Sequence, residues 1–373
     1  MRGVTCLSGW RMAGKDEDEI MNNEVFIRGE SAQSANCMLE RKVIDTHVHV
    51  LGTGDTVKGF TASLEFVSSR TFSSMLMSLK TPAFAVSDEK LMEDLLGVVN
   101  SSESIDYAVF LAMDGVYKNG KFVAPETHLM VPNDYIIDLS RTNKKVLFGA
   151  SVHPYREAAD MLAVAKRCVD EGAALFVWSP SEQQINPEDD RCIPFYVCLA
   201  REGIPLLFHT GNVFATHMTD FKVNNYSDPR KLKNALDIGV KVIVAHCAAS
   251  PDGKGIPSGG PEDLLDMLKT AEEKKWDLYA DISARCAPSQ IGYLERIRRE
   301  IEEGRISPKR FLYGSDFPMP AVDINVVKEP LSTSELAEHI SGQGNLLDHH
   351  YRILKDFGIH ESIFTNACDV LRL

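Results

Sequence analysis

Seven residues, Val43-Ile44-Asp45-Thr46-His47-Val48-His49, end in His-x-His. Their apolar and β-branched members read as a buried strand. Side chains two apart on a strand share a face, so His47 and His49 point the same way and can hold one ion between them. Neutral imidazole is the commonest nitrogen ligand of zinc and similar metals. Such a pair is half a site, and the other half has to come from elsewhere in the chain.

Comparable apolar runs end in polar residues of the right kind. They are Ser151-Val152-His153-Pro154, Leu207-Phe208-His209-Thr210-Gly211, Val244-Ala245-His246-Cys247 and Tyr313-Gly314-Ser315-Asp316-Phe317-Pro318. Each alone has a plain structural reading. A histidine at a strand end is commonly a hydrogen-bonded framework residue, and Asp316 suits a turn or a helix N-cap. Their joint occurrence is the signal, because it depends on what positions them.

Eight β-rich apolar runs follow one another: Val43–Val50, Ile105–Ala112, Val146–Val152, Ala173–Trp178, Ile204–His209, Lys241–His246, Leu278–Ile282 and Arg310–Tyr313. Amphipathic helical patterns lie between most of them, at Glu157–Glu171, Ile193–Glu202, Pro229–Ile238, Pro261–Lys275 and Gln290–Glu303. Gly172, Gly203 and Gly239 fall where a helix C-terminus calls for a left-handed residue. Continuous apolar strands alternating with helices indicate a parallel sheet. Eight such units, with no GxGxxG after the first strand, predict an α/β fold of the TIM (β/α)8 type rather than a dinucleotide-binding sheet. The carboxyl ends of barrel strands meet at one mouth, so His47, His49, His209, His246 and Asp316 are expected there as a metal site. His128, His217, His339, His349, His350 and His360 fall in loops or outer helices and are expected to be mostly solvated.

Around this barrel, residues 1–40 read as a partly irregular N-terminal extension with a short strand at Glu24–Ile27, and residues 41–373 as the barrel domain. The long stretch from Leu51 to Ser104, with a helix near Asp88–Val99, is expected to wall or cover the mouth. The tail from Ser332 predicts two or three outer helices.

Bulk properties exclude several classes. The chain has 373 residues, 44% hydrophobic and 25% charged, with a net charge of −13 and no basic stripe. Nucleic acid is not an expected partner, since phosphate neutralisation needs clustered cations. No apolar stretch is long enough to span a bilayer, and the acidic run Lys15-Asp16-Glu17-Asp18-Glu19 does not suit a signal peptide. Eight scattered cysteines without a CxxC read as reduced thiols of a cytoplasmic protein. A homodimer is left open.

These motifs, in this order, resemble the metal-dependent amidohydrolase superfamily. The resemblance is to its amidohydrolase-2 type, which includes aminocarboxymuconate semialdehyde decarboxylase and related decarboxylases, lactonases and hydratases. It covers roughly Lys42 to Leu373. It implies that His47, His49 and His209 are metal ligands, that Asp316 is a carboxylate ligand that also handles a proton, and that His246 acts on substrate or water. Two-metal members carry a lysine or glutamate on the fourth strand. Ala174-Leu175-Phe176-Val177-Trp178-Ser179-Pro180 has neither, which implies a single ion and argues against the TatD-like nucleases.

Three histidines and one carboxylate suit Zn2+, with Mn2+ as the alternative. The expected activity is hydrolysis of a small carboxylate, lactone, ester or amide by a metal-activated water. The competing reading is a non-hydrolytic lyase, a decarboxylase or hydratase, on a small unsaturated or aromatic acid. A third, a non-catalytic binding barrel, predicts an incomplete ligand set. Arg285 and Arg70 are candidates for holding a substrate carboxylate, and His153 and Trp178 for contacting the substrate.

Overall fold

The computed structural model describes residues 41–210, 225–248, 260–325 and 327–373. The expected extension and its strand at Glu24–Ile27, and His217, lie outside the described residues. Eight parallel strands form one sheet in sequential order. They are β1 (Ile44–His49), β2 (Tyr107–Leu111), β3 (Val146–Ala150), β4 (Leu175–Trp178), β5 (Leu206–Phe208), β6 (Val242–Val244), β7 (Leu278–Asp281) and β8 (Phe311–Leu312). The ring closes where the chain past Leu312 runs beside β1: Thr46 N–H donates to Tyr313 O at 3.1 Å, Asp316 N–H to His47 O at 3.0 Å and His49 N–H to Phe317 O at 2.7 Å. This is a TIM barrel.

Six helices cover the outside between successive strands: α3 (Asn133–Thr142), α4 (Ala158–Asp170), α5 (Ile193–Glu202), α6 (Lys233–Ile238), α7 (Pro261–Thr270) and α8 (Ile291–Glu302). Two more, α1 (Arg70–Leu79) and α2 (Asp88–Ser101), occupy the long β1–β2 connection, and α9 (Thr333–Ser341) and α10 (Leu346–Phe357) follow β8. Gly172, Gly203 and Gly239 take the left-handed conformation expected of them, with φ of 84°, 66° and 96°. Pro229–Ile238 is tighter than its pattern suggested, with one 3₁₀ turn over Pro229–Leu232 before α6.

The strands alternate between two cores, as their pleat requires. Val109, Leu111, Val177, Leu207 and Ile243 point into the barrel, where they meet Ala367 and Val370 of the last helical turn. Phe110, Phe176, Phe208 and Val244 point outward against the helices. Strand β1 departs from strict alternation. Its register against β2 shifts between Asp45 and Val48, so Ile44 pairs with Tyr107 and His49 with Leu111. One extra residue in the strand therefore turns His47 and His49 inward while Ile44 also stays inward.

The β1–β2 connection is tied down by one carboxylate. Asp88, the first residue of α2, accepts the N–H groups of Thr53, Gly54, Thr56 and Val57 at 2.6–3.1 Å. Burial pushes its pKa up, but these four donors hold it below the ordinary carboxyl value. No helix among the described residues is long and apolar enough to cross a membrane.

Candidate metal centre

His47 and His49 reach the barrel mouth from the end of β1, and His209 comes one residue past β5. Their Nε2 atoms converge: His47 to His49 is 3.2 Å, His47 to His209 2.9 Å and His49 to His209 3.4 Å. Asp316 Oδ1 joins them, 3.1 Å from His49 Nε2 and 3.4 Å from His47 Nε2. Ligands about 2.1 Å from a tetrahedral ion stand roughly 3.4 Å apart, close to these separations. Three imidazole nitrogens this close, with a carboxylate oxygen beside two of them, suit a cation far better than one another.

The other ring nitrogens of His47 and His209 are already committed. His47 Nδ1 lies 2.9 Å from Asp281 Oδ2, and His209 Nδ1 3.3 Å from Trp178 O. Since each of these oxygens can only accept, Nδ1 carries the proton in both rings and Nε2 is left bare for an ion. Burial depresses the His47 pKa, yet the Asp281 and Asp316 charges outweigh it and raise the net value. Burial and the neighbouring imidazoles hold His209 well below the usual histidine range. Asp316 resists burial because His246, His49 and His47 surround it, and its pKa is lowered.

Asp281, at the end of β7, organises the inner side of the cluster. Besides His47, it accepts the N–H groups of His246 and Ser283 at 2.9 and 3.0 Å, and the Ser283 hydroxyl. Burial raises its pKa, but the His47 imidazole more than offsets this and takes it to about 2. The Ser283 proton is given to Asp281, so Ser283 Oγ accepts from His246 Nδ1 at 2.8 Å. Neutral His246 then presents an unprotonated Nε2, a proton acceptor. Burial keeps it neutral, with a pKa lowered to about 4.

Backbone strain concentrates here. His246, Cys247, Ala248 and Asp316 all have positive φ, between 46° and 66°. Gly314 is fixed by close approach: a Cβ there would stand 3.0 Å from His47 Cβ and 3.2 Å from Ser283 Cβ. Asp45 braces the same turn, accepting the N–H groups of His47 and Ser315 at 3.1 and 2.9 Å.

A family model described as amidohydrolase matches residues 44–338. The chain belongs to the amidohydrolase family. Members of this family are enzymes, hydrolases and decarboxylases among them, acting on small molecules and typically with a divalent metal. None of the curated proteins matches the chain. Among solved structures, an uncharacterised TIM-barrel protein from Bordetella bronchiseptica is 16% identical over 85% of this chain and 99% of its own, with a TM-score of 0.47. A Pseudomonas putida protein named provisionally as a 2-pyrone-4,6-dicarboxylic acid hydrolase is 15% identical over 86% and 99%, with a TM-score of 0.46. The 5-carboxyvanillate decarboxylase of Sphingomonas paucimobilis is 14% identical over 83% and 99%, with a TM-score of 0.44. At these scores neither the fold nor the chemistry of this amidohydrolase rests on them.

The cluster forms the floor of a cavity of about 140 Å3, into which His49, His209, His246 and Asp316 open. Its walls are largely apolar, with Leu51 past β1, Phe66 and Met75 from the β1–β2 connection, and Leu129, Val131 and Met319. The four residues expected to hold substrate do not line it. Arg70 begins α1 and is exposed. Arg285 is fully buried, its guanidinium bonded to Ser283 O and Gln290 Oε1. His153 accepts from Tyr155 N–H and donates to Gln183 O, and burial lowers its pKa to about 4. Trp178 donates to Val152 O and stacks on Phe195 in the outer core. All but Arg70 are framework, consumed by bonds that a linear reading cannot show.

Two residues that the sequence reading passed over stand out. Asp281 ends a barrel strand just as Asp316 follows one, a signal that was present. Glu182 lines the cavity four residues beyond β4, and nothing in its local sequence marks it.

Proposed function

We propose that this amidohydrolase is a mononuclear metal-dependent hydrolase acting on a small carboxylate, lactone, ester or amide. The observation that carries the reading is the convergence of His47, His49 and His209 Nε2 with Asp316 Oδ1 at the floor of an apolar cavity. A divalent ion held by these four, zinc by the donor set, supplies Lewis-acid activation of water and of a substrate carbonyl. Asp316 takes the proton of the attacking water and returns it to the leaving group. His246 Nε2, bare and facing the same floor, accepts a hydrogen bond from that water and orients its lone pair. The apolar walls exclude other water and hold the body of the substrate.

The test has two parts. Metal analysis of the purified protein is expected to give about one equivalent of zinc or manganese, removed by chelation. Zinc-loaded protein is then assayed on lactones, esters and amides of small carboxylic acids, and separately on 5-carboxyvanillate and other aromatic acids, in 18O-labelled water. Label in the product supports hydrolysis. Release of CO2 without label replaces it with the lyase reading, in which the same floor binds an aromatic or unsaturated acid.

A further inference from the structure

We propose that Glu182 determines specificity: its carboxyl receives a hydroxyl or ammonium group of the substrate on the side of the cavity opposite Asp316. The inference rests on the cavity being the substrate site and deepens that reading.

Position comes first. Glu182 follows β4, which stands opposite β8 around the eight-strand ring. Asp316 follows β8, so the two carboxyls enter the cavity from opposite sides of the mouth. Among the described residues Asp316 contacts His47 and His49, whereas the Glu182 carboxyl bonds Ser179 and none of the cluster side chains.

Its surroundings hold it firmly yet leave its carboxyl almost unanswered. The adjacent Gln183 is fully used: Oε1 accepts Ser179 N–H at 2.7 Å, and Nε2 donates to Asp114 O at 3.0 Å and Ser151 Oγ at 3.3 Å. Gln183 O in turn accepts from His153. These bonds fix the loop and so pre-position its neighbour. Glu182 itself accepts one long hydrogen bond, from Ser179 Oγ at 3.4 Å. No lysine or arginine among the described residues acts on it or lines the cavity. Burial against the apolar wall, weakly opposed by Ser179, pushes its pKa up to about 7. A half-buried carboxyl with only one long hydrogen bond is costly, and a ligand group that donates to it relieves that cost. A substrate carboxylate would need Glu182 to remain protonated in a cavity that already holds Asp316. A hydroxyl or ammonium needs no such proton.

The test uses the full-length, zinc-loaded protein and benzoates as probes: benzoate, its meta and para hydroxyl and aminomethyl derivatives, and the isomeric benzenedicarboxylates. Binding is measured by calorimetry on wild type, Glu182→Gln and Glu182→Leu. The proposal expects one aminomethyl and one hydroxyl isomer to bind roughly tenfold tighter than benzoate. Glu182→Gln should abolish the ammonium gain while keeping part of the hydroxyl gain, and Glu182→Leu should abolish both. The proposal is overturned if a dicarboxylate binds tightest, if the gains survive in Glu182→Leu, or if the series binds with one affinity or not at all. Benzoate with and without zinc tests the metal reading separately, because every gain is taken relative to benzoate itself.

Discussion

Three imidazoles with Nε2 atoms within 3.4 Å of one another, and a carboxylate within 3.4 Å of two of them, demand an explanation at each residue. With the Nδ1 protons of His47 and His209 committed to Asp281 and Trp178 O, their Nε2 lone pairs face one another, an arrangement that a cation between them relieves. His47→Ala and His209→Ala are expected to yield folded protein without zinc, measured by metal analysis after purification. His246→Ala is expected to keep the metal, because its Nδ1 and backbone N–H are anchored on Ser283 and Asp281 rather than on the cluster. Its turnover should fall by about 10²- to 10⁴-fold, the usual range for loss of a positioned acid–base group. An emptied site in this variant would place His246 among the ligands. Asp281→Asn keeps the shape but removes the charge that orients His47. Its zinc affinity should drop about 10- to 100-fold in a chelator competition.

The eight strands were legible because their apolar runs are continuous and their helices strongly periodic. The five residues at their carboxyl ends were legible for the same reason, since barrel geometry alone brings them to one mouth. What was not legible depends on contacts between elements. Arg285 and His153 look like free polar groups along the chain, but neighbouring loops consume them. Glu182 acquires its place only when the turn after β4 is folded against Ser151 and Asp114. The β1–β2 connection follows the same logic. Asp88 gathers four backbone donors and thereby sets the loop that carries Phe66 and Met75 to the cavity. Asp88→Ala should cost about 2 kcal/mol in global unfolding and open that loop to protease. Its folded pKa is lowered, so the stabilisation is present above the ordinary value of 3.8 and fades as pH falls below it. Gly314→Ala tests packing between β8 and β1. The added methyl must push His47 or Ser283 aside, so a loss of about 1–3 kcal/mol is expected together with weaker zinc binding.

Residues 41–373 form a barrel whose interior packs against Ala367 and Val370 and whose outside packs against α10. His349 and His350, expected in solvent, are instead buried where α10 packs on the barrel. Tyr313 Oη, on the chain just past β8, lies 3.1 Å from His350 Nδ1, while His350 Nε2 has no partner. Burial, with a smaller push from His349, lowers the His350 pKa to about 3. The folded barrel therefore leaves this ring neutral across a range where the unfolded chain, with an ordinary histidine value of 6.5, takes up a proton. Proton uptake by the unfolded state means that stability falls as pH drops below 6.5. His350→Phe removes that proton while preserving the ring packing against Tyr313. At pH 8 it should be the less stable protein, by about 1 kcal/mol for the lost hydrogen bond. From pH 6.5 down to about 3 the difference should shift in favour of the variant by about 1.4 kcal/mol per pH unit. Urea unfolding curves of both proteins across this range measure it. Parallel curves at every pH would mean that His350 takes up its proton as readily in the folded barrel as in the unfolded chain, and that burial of this ring is not what sets its charge.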